Sequence, residues 1–218
     1  MFPALYAILD ASSELASERA LSIPEIADQL VEGGVELFQY RDKRGSARRI
    51  QTTSQVLCDQ LGPKRIRVIV NDRADIAAMT GAGGVHVGQE DLPVEEARKI
   101  CGAPLWVGVS THNLEQLRAA DASSADYIAV GPIFPTGTKA NPDPVVGLEF
   151  LRAARKITRK PLVAIGGITV ESAGDVYRAG ADSIAVIRDL MCANHPAERA
   201  REYLAIAKRA VPARPARN

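Results

Sequence analysis

Pro161-Leu-Val-Ala-Ile-Gly-Gly-Ile-Thr169 continues through Val170-Glu-Ser-Ala-Gly-Asp-Val-Tyr-Arg-Ala-Gly180 to Ala181-Asp-Ser-Ile-Ala-Val-Ile187. The apolar run 161–165 predicts a strand, and Gly166-Gly167 a tight turn. Thr169 is a helix cap ahead of a helix over 170–179 that Gly180 ends. Ser183–Ile187 then predicts the next strand. Strand, helix and strand in immediate succession imply two parallel strands joined by a crossover helix.

The same alternation extends outward to both ends of the chain. Further strands are predicted at Leu5–Leu9, Val35–Tyr40, Arg67–Val70, Gly84–Val87, Leu105–Val109 and Tyr127–Val130. Helices are predicted at Pro24–Glu32, Ala47–Leu61, Asp72–Met79, Pro93–Cys101, Leu114–Ala120 and Leu148–Ile157, with a last one near Ala197–Ala210. Parallel strands in this number form either a closed (β/α)₈ TIM barrel or an open doubly wound sheet. A length of 218 residues, and no Gly-x-Gly-x-x-Gly turn after the first strand, favour the barrel. The expected organisation is one barrel domain over residues 1–210, followed by a disordered Pro/Arg tail over 211–218. A barrel carries its active site at the C-terminal ends of its strands.

Composition narrows the function classes. A net charge of +1 provides no field for nucleic acid or for a membrane surface. Cys58, Cys101 and Cys192 lie far apart and read as reduced thiols. The N-terminus lacks a basic, then apolar leader, and no apolar run approaches the ~20 residues of a membrane span. A cytoplasmic protein with no nucleic-acid or membrane partner is expected.

The expected strand ends carry the polar groups. After the 127–130 strand comes Gly131-Pro-Ile-Phe-Pro-Thr-Gly-Thr-Lys139, whose two prolines stop both helix and strand. Thr136, Thr138, Lys139 and the Gly137 amide suit an anionic oxygen cluster, since charged donors bind phosphate strongly. On the second strand Val35, Leu37, Gln39, Arg41 and Lys43 share one face, apolar first and cationic last. Asp72 and Asp91 follow the third and fourth strands; each also reads as a helix-start acid. As a pair they suit a hard cation such as Mg²⁺, which takes one or two carboxylates plus substrate phosphates. His112 reads either as a general base or as part of a helix start, and Ser110 as a hydrogen-bonding contact. Gly166-Gly167, with the helix start after the eighth strand, makes a second phosphate-ready place.

Six segments, in order, carry a resemblance to a known family: Gln39-Tyr-Arg-Asp-Lys43, Val70-Asn-Asp-Arg-Ala-Asp75, Gly84-Val-His-Val-Gly-Gln-Glu-Asp91, Gly108-Val-Ser-Thr-His112, the 131–139 loop and Ala164-Ile-Gly-Gly-Ile168. The chain resembles the thiamine-phosphate synthases over nearly its whole length. That family is a (β/α)₈ barrel that joins an aminopyrimidine methyl diphosphate to a thiazole ethyl phosphate and releases diphosphate. The resemblance implies two small phosphorylated substrates and one Mg²⁺ held by Asp72 and Asp91. It implies that Gln39, Arg41, Lys43, Asn71, Ser110 and Lys139 contact the pyrimidine diphosphate, with Arg41, Lys43, Ser110 and Lys139 taking part in catalysis. Thr136, Gly137, Thr138, Gly167, Ile187 and Arg188 would hold the thiazole phosphate. Many family members carry serine where this chain has Arg188. Two other readings share the barrel: a thiazole tautomerase using a histidine such as His112, and a non-catalytic phosphate-metabolite sensor. Neither has a chemical need for the whole diphosphate set.

Overall fold

The computed structural model describes residues 2–11, 21–137 and 144–210. Eight parallel strands close into a barrel in sequence order: β1 (Leu5–Asp10), β2 (Leu37–Arg41), β3 (Arg67–Asn71), β4 (Gly84–Val87), β5 (Trp106–Thr111), β6 (Tyr127–Val130), β7 (Leu162–Ile165) and β8 (Ser183–Val186). β8 returns to β1 through the register Tyr6 opposite Ala185. The chain is therefore a (β/α)₈ barrel, as its sequence predicts. Between the strands run α1 (Ile23–Glu32), α2 (Ala47–Leu61), α3 (Ala74–Met79), α4 (Val94–Cys101), α5 (Leu114–Ala122), α6 (Gly147–Ile157) and α7 (Val170–Arg178). A short α8 (Arg188–Met191) and then α9 (Pro196–Ala210) follow the last strand. Among the described residues no helix is long and apolar enough to cross a membrane. The expected 211–218 tail lies outside the described residues.

Local chemistry explains the helix starts. The Ser22 amide donates to Glu25 Oε2 at 2.7 Å, Ser46 Oγ accepts from the Arg49 amide at 3.2 Å, and Asn113 Oδ1 accepts from the Gln116 amide at 2.9 Å. Each satisfies a backbone or cap donor that a helix end would otherwise leave unpaired. Two boundaries depart from expectation in ways that matter for the site. β5 extends to Thr111, so Ser110 sits in the sheet rather than beyond it. The helix expected from Asp72 begins only at Ala74, because Asp72 adopts φ +61° and breaks the helical path.

Strand alternation divides the apolar side chains into two cores. One lies between the strands and the helices and includes Leu9, Phe38, Val70, Val85, Val130 and Ile184. The other fills the barrel interior with Tyr6, Ile8, Leu37, Ile69, Tyr127, Ala129, Val163 and Ala185. At the N-terminal end Phe2 stacks on Trp106, centroids 5.2 Å apart at 15°. The Arg67 guanidinium lies 3.7 Å from the centre of the Trp106 ring. These groups close the bottom of the barrel.

Gly108 decides the packing halfway up. A Cβ there would lie 2.0 Å from Tyr127 Cζ and 2.4 Å from its hydroxyl. Only a residue without a side chain lets the Tyr127 ring cross the interior. Gly108→Ala is therefore expected to destabilise the protein by about 1–3 kcal/mol, the cost of overpacking a filled core. A denaturant midpoint equal to that of the unaltered chain would show that the ring can move aside.

Candidate active site

The strand ends of β2 to β5 bring most of the expected side chains into one mouth. Gln39 points inward from β2, and its Nε2 donates to the Tyr6 hydroxyl at 2.9 Å. Two residues on, Arg41 is held by Asp10: Nη1 meets Oδ2 at 2.5 Å, and the Asp10 side chain is fully buried. The Asp10 amide in turn faces the Met191 sulfur at 3.2 Å. Asp10 went unnoticed in the sequence because the first strand was expected to end at Leu9. Carrying the alternation Tyr6, Ile8, Asp10 one step further would have found it.

Lys43 follows β2 and pairs with the Asp72 carboxylate. Asn71 closes β3 opposite His86 in the register, and the Asp72 amide donates to the His86 carbonyl at 2.8 Å. That hydrogen bond and φ +61° turn the Asp72 side chain toward Lys43 and Asp91. Asp91 Oδ2 accepts from the Gly88 amide at 2.8 Å. The helix-start reading of Asp72 is thereby set aside; Asp75, paired with Arg73 in the first turn of α3, fills that place.

The two carboxylates oppose one another. Burial raises the Asp72 carboxyl above the usual range, and the facing Asp91 adds to this against the pull of Lys43. Burial also works against the charge of Asp91, yet hydrogen bonds from Asp72 and the Gly88 amide outweigh it and hold that carboxyl low. Of the two, Asp72 is thus the carboxyl that keeps its proton to the higher pH. Among the described residues no group of three or more His, Cys, Asp or Glu could hold a metal ion. Two adjacent carboxylates nevertheless fit Mg²⁺, which keeps waters and takes substrate phosphates at its other positions.

Ser110 points inward from β5 to His86, Oγ to Nε2 at 2.9 Å. Its carbonyl accepts from Gln89 Nε2 at 2.6 Å. His112, one candidate general base, donates Nδ1–H to the Gly131 carbonyl at 2.6 Å and anchors the head of the central loop. That loop then follows β7: the amides of Ile133 and Phe134 donate to the carbonyls of Ile165 and Gly166 at 2.9 and 3.0 Å. Gly167, at φ +62°, packs so closely that a Cβ would lie 2.4 Å from the Pro135 carbonyl oxygen. Thr136 and Gly137 are next along the loop. Ile187 packs on the interior core ahead of α8, and Arg188 begins that helix exposed. Thr138 and Lys139 lie outside the described residues.

Fold and site together define an enzyme class: a (β/α)₈ barrel whose mouth gathers cations, an acid pair and glycine-lined backbone. The sequence profile described as thiamine monophosphate synthase matches residues 5–190. The chain belongs to that family. It is 52% identical over 204 residues to the thiamine-phosphate synthase of Koribacter versatilis, covering 94% of this chain and 95% of the relative. The thiamine-phosphate synthase of Methanospirillum hungatei is 42% identical, over 82% of this chain and 87% of its own. The solved thiamine phosphate pyrophosphorylase of Pyrococcus furiosus superposes with a TM-score of 0.84 at 31% identity, covering 96% and 97% of the two chains. The family assigns the chain to the transferases of thiamine biosynthesis.

A raised Asp72 carboxyl holds its proton more tightly in the folded protein than in the unfolded chain. The stability this contributes is present at low pH and lost as pH rises through the folded value. At neutral pH, without a divalent cation, that contribution of Asp72 is therefore diminished. Asp72→Asn keeps the size, and Asn tolerates φ > 0. The metal-free variant is expected to melt no lower than the unaltered protein at neutral pH, while its activity collapses. A melting temperature several degrees lower would show that attraction to Lys43 outweighs repulsion from Asp91.

Proposed function

We propose that the enzyme, working in the cytoplasm, joins an aminopyrimidine methyl diphosphate to a thiazole ethyl phosphate and releases diphosphate. The single observation that carries this reading is the convergence of Gln39, Arg41, Lys43, Asp72 and Ser110 on one mouth, each held by a named neighbour. A tautomerase has no use for that set.

Under this reading Arg41 and Lys43 bind the diphosphate, and Lys139 meets the charge that builds as the carbon–oxygen bond breaks. Asn71 and Ser110 add neutral hydrogen bonds. A magnesium ion bound by Asp72 and Asp91 would supply further neutralisation of the departing diphosphate. An electron-rich aminopyrimidine supports a benzylic-like cation, so no protein nucleophile is required. Thr136, Gly137, Thr138 and Gly167 grip the thiazole phosphate beside Ile187 and Arg188, and hold the neutral thiazole nitrogen in line.

Incubation with both substrates and Mg²⁺ is expected to release diphosphate in step with thiamine phosphate, and excess chelator should stop it. Turnover undiminished by chelator would overturn the metal assignment; absence of diphosphate would overturn the reaction. Arg188→Ser should change the KM for the thiazole phosphate only a few-fold, since the side chain is exposed at the start of α8. A direct clamp would instead cost about 10- to 150-fold, the loss of one hydrogen bond to a charged group.

A further inference from the structure

Beneath the mouth a continuous line of buried hydrogen bonds crosses the barrel. Gln39 Nε2 donates to the Tyr6 hydroxyl at 2.9 Å, and the Tyr6 and Tyr127 hydroxyls are 3.0 Å apart. The Tyr127 hydroxyl meets His86 Nδ1 at 3.0 Å, and His86 Nε2 meets Ser110 Oγ at 2.9 Å. Both tyrosines are buried, and burial pushes both phenols far above their usual range, so they act as neutral O–H groups.

The line has a direction. The Tyr6 oxygen already accepts from Gln39, and among the described residues its own hydrogen has Tyr127 as its remaining neighbour. If Tyr127 donated to Tyr6 instead, the Tyr6 hydrogen would be buried without an acceptor, which proteins avoid. Tyr6 therefore donates to Tyr127, and Tyr127 donates to His86 Nδ1. The ring proton of His86 then sits on Nε2 and is given to Ser110 Oγ. Ser110, half-buried at the mouth, is left with its hydroxyl proton pointing to the substrate side. We propose that Tyr6, Tyr127 and His86 are positioning residues that fix Ser110 as a hydrogen-bond donor.

The direction matters because diphosphate oxygens only accept. In the reverse order Ser110 would commit its one proton to His86 and turn lone pairs toward an anion. The proposal rests on the reading that Ser110 touches the diphosphate, and the tests separate the two. Long-range ¹H–¹⁵N spectra report the histidine tautomer without substrate, and with three histidines in the chain assignment by single variants is direct. The expected result is His86 in the Nε2–H form, changing to a mixture in Tyr127→Phe. Phe keeps the ring contacts with Trp106 and His86, so that variant should fold.

In turnover, Tyr127→Phe should lower kcat about tenfold with little change in KM. The same substitution should have no further effect in a Ser110→Ala background, because both act on one hydrogen bond. His86→Gln, whose Nε2 can still reach Ser110, should recover most of the activity that His86→Leu loses. An Nδ1–H tautomer in the unaltered protein, or additive losses in the double variant, would overturn the proposal. Full activity in Ser110→Ala would instead sink the diphosphate contact while leaving the tautomer result to stand.

Discussion

Closing eight parallel strands leaves an interior just wide enough for side chains to fill, so each inward residue limits its neighbours. In this barrel the contact that governs the filling is the Tyr127 ring lying across Gly108. Any side chain at 108 would push the ring away from the centre. With the ring there, its hydroxyl reaches both Tyr6 and His86, while its faces and edge meet Phe2 and Trp106 below. One missing Cβ thus joins an apolar base to a polar layer.

That layer fixes the mouth above it. Arg41 is held by a fully buried Asp10, Ser110 by His86, and Lys43 by Asp72. Side chains anchored in this way lose little freedom when a substrate arrives, which is how preorganised sites stabilise developing charge. The arrangement also carries strain. Asp72 occupies the left-handed region at φ +61°, a conformation of the kind that concentrates at functional sites. Its backbone is kept there by the hydrogen bond to the His86 carbonyl, so His86 supports the site through main chain and ring alike.

Much of this was legible in the sequence, for identifiable reasons. Parallel strands buried on both faces give dense apolar runs, and their spacing with helices gave the barrel. Alternation along β2 put Gln39 and Arg41 on the inward face because the strand is regular to its end, with Lys43 just beyond it. The polar layer was not legible. Tyr6, His86 and Tyr127 stand within short apolar runs, and sequence does not say that three strands bring their polar atoms within hydrogen-bond reach. The clues were small: His86 alternates with Val85 and Val87, and Gly108 interrupts a strand of valines. β5 runs past the apolar stretch that marks it in the sequence, because pairing of Ser110 with Ala129 and Thr111 with Val130 keeps these polar residues extended.

The two halves of the mouth are built from different material, and the proposed chemistry gives a reason. On the diphosphate side, charge builds as the bond breaks, and side chains with fixed charge or polarity answer it best: Arg41, Lys43, Ser110 and the acid pair, carried on the ends of β2 to β5. On the thiazole side the acceptor arrives neutral and becomes a thiazolium only as its nitrogen lone pair bonds the carbon, so it has first to be held in line. There the backbone is the main material. Gly166 at φ +100° and Gly167 at φ +62° bend the chain beneath Pro132 and Pro135, where any side chain would collide. The loop from β6 is tied to the end of β7 by main-chain hydrogen bonds from Ile133 and Phe134. Under the proposed reading, main-chain donors would bind a phosphate without adding charge that competes for the diphosphate, and the two anions would be sorted by the kind of group that meets each.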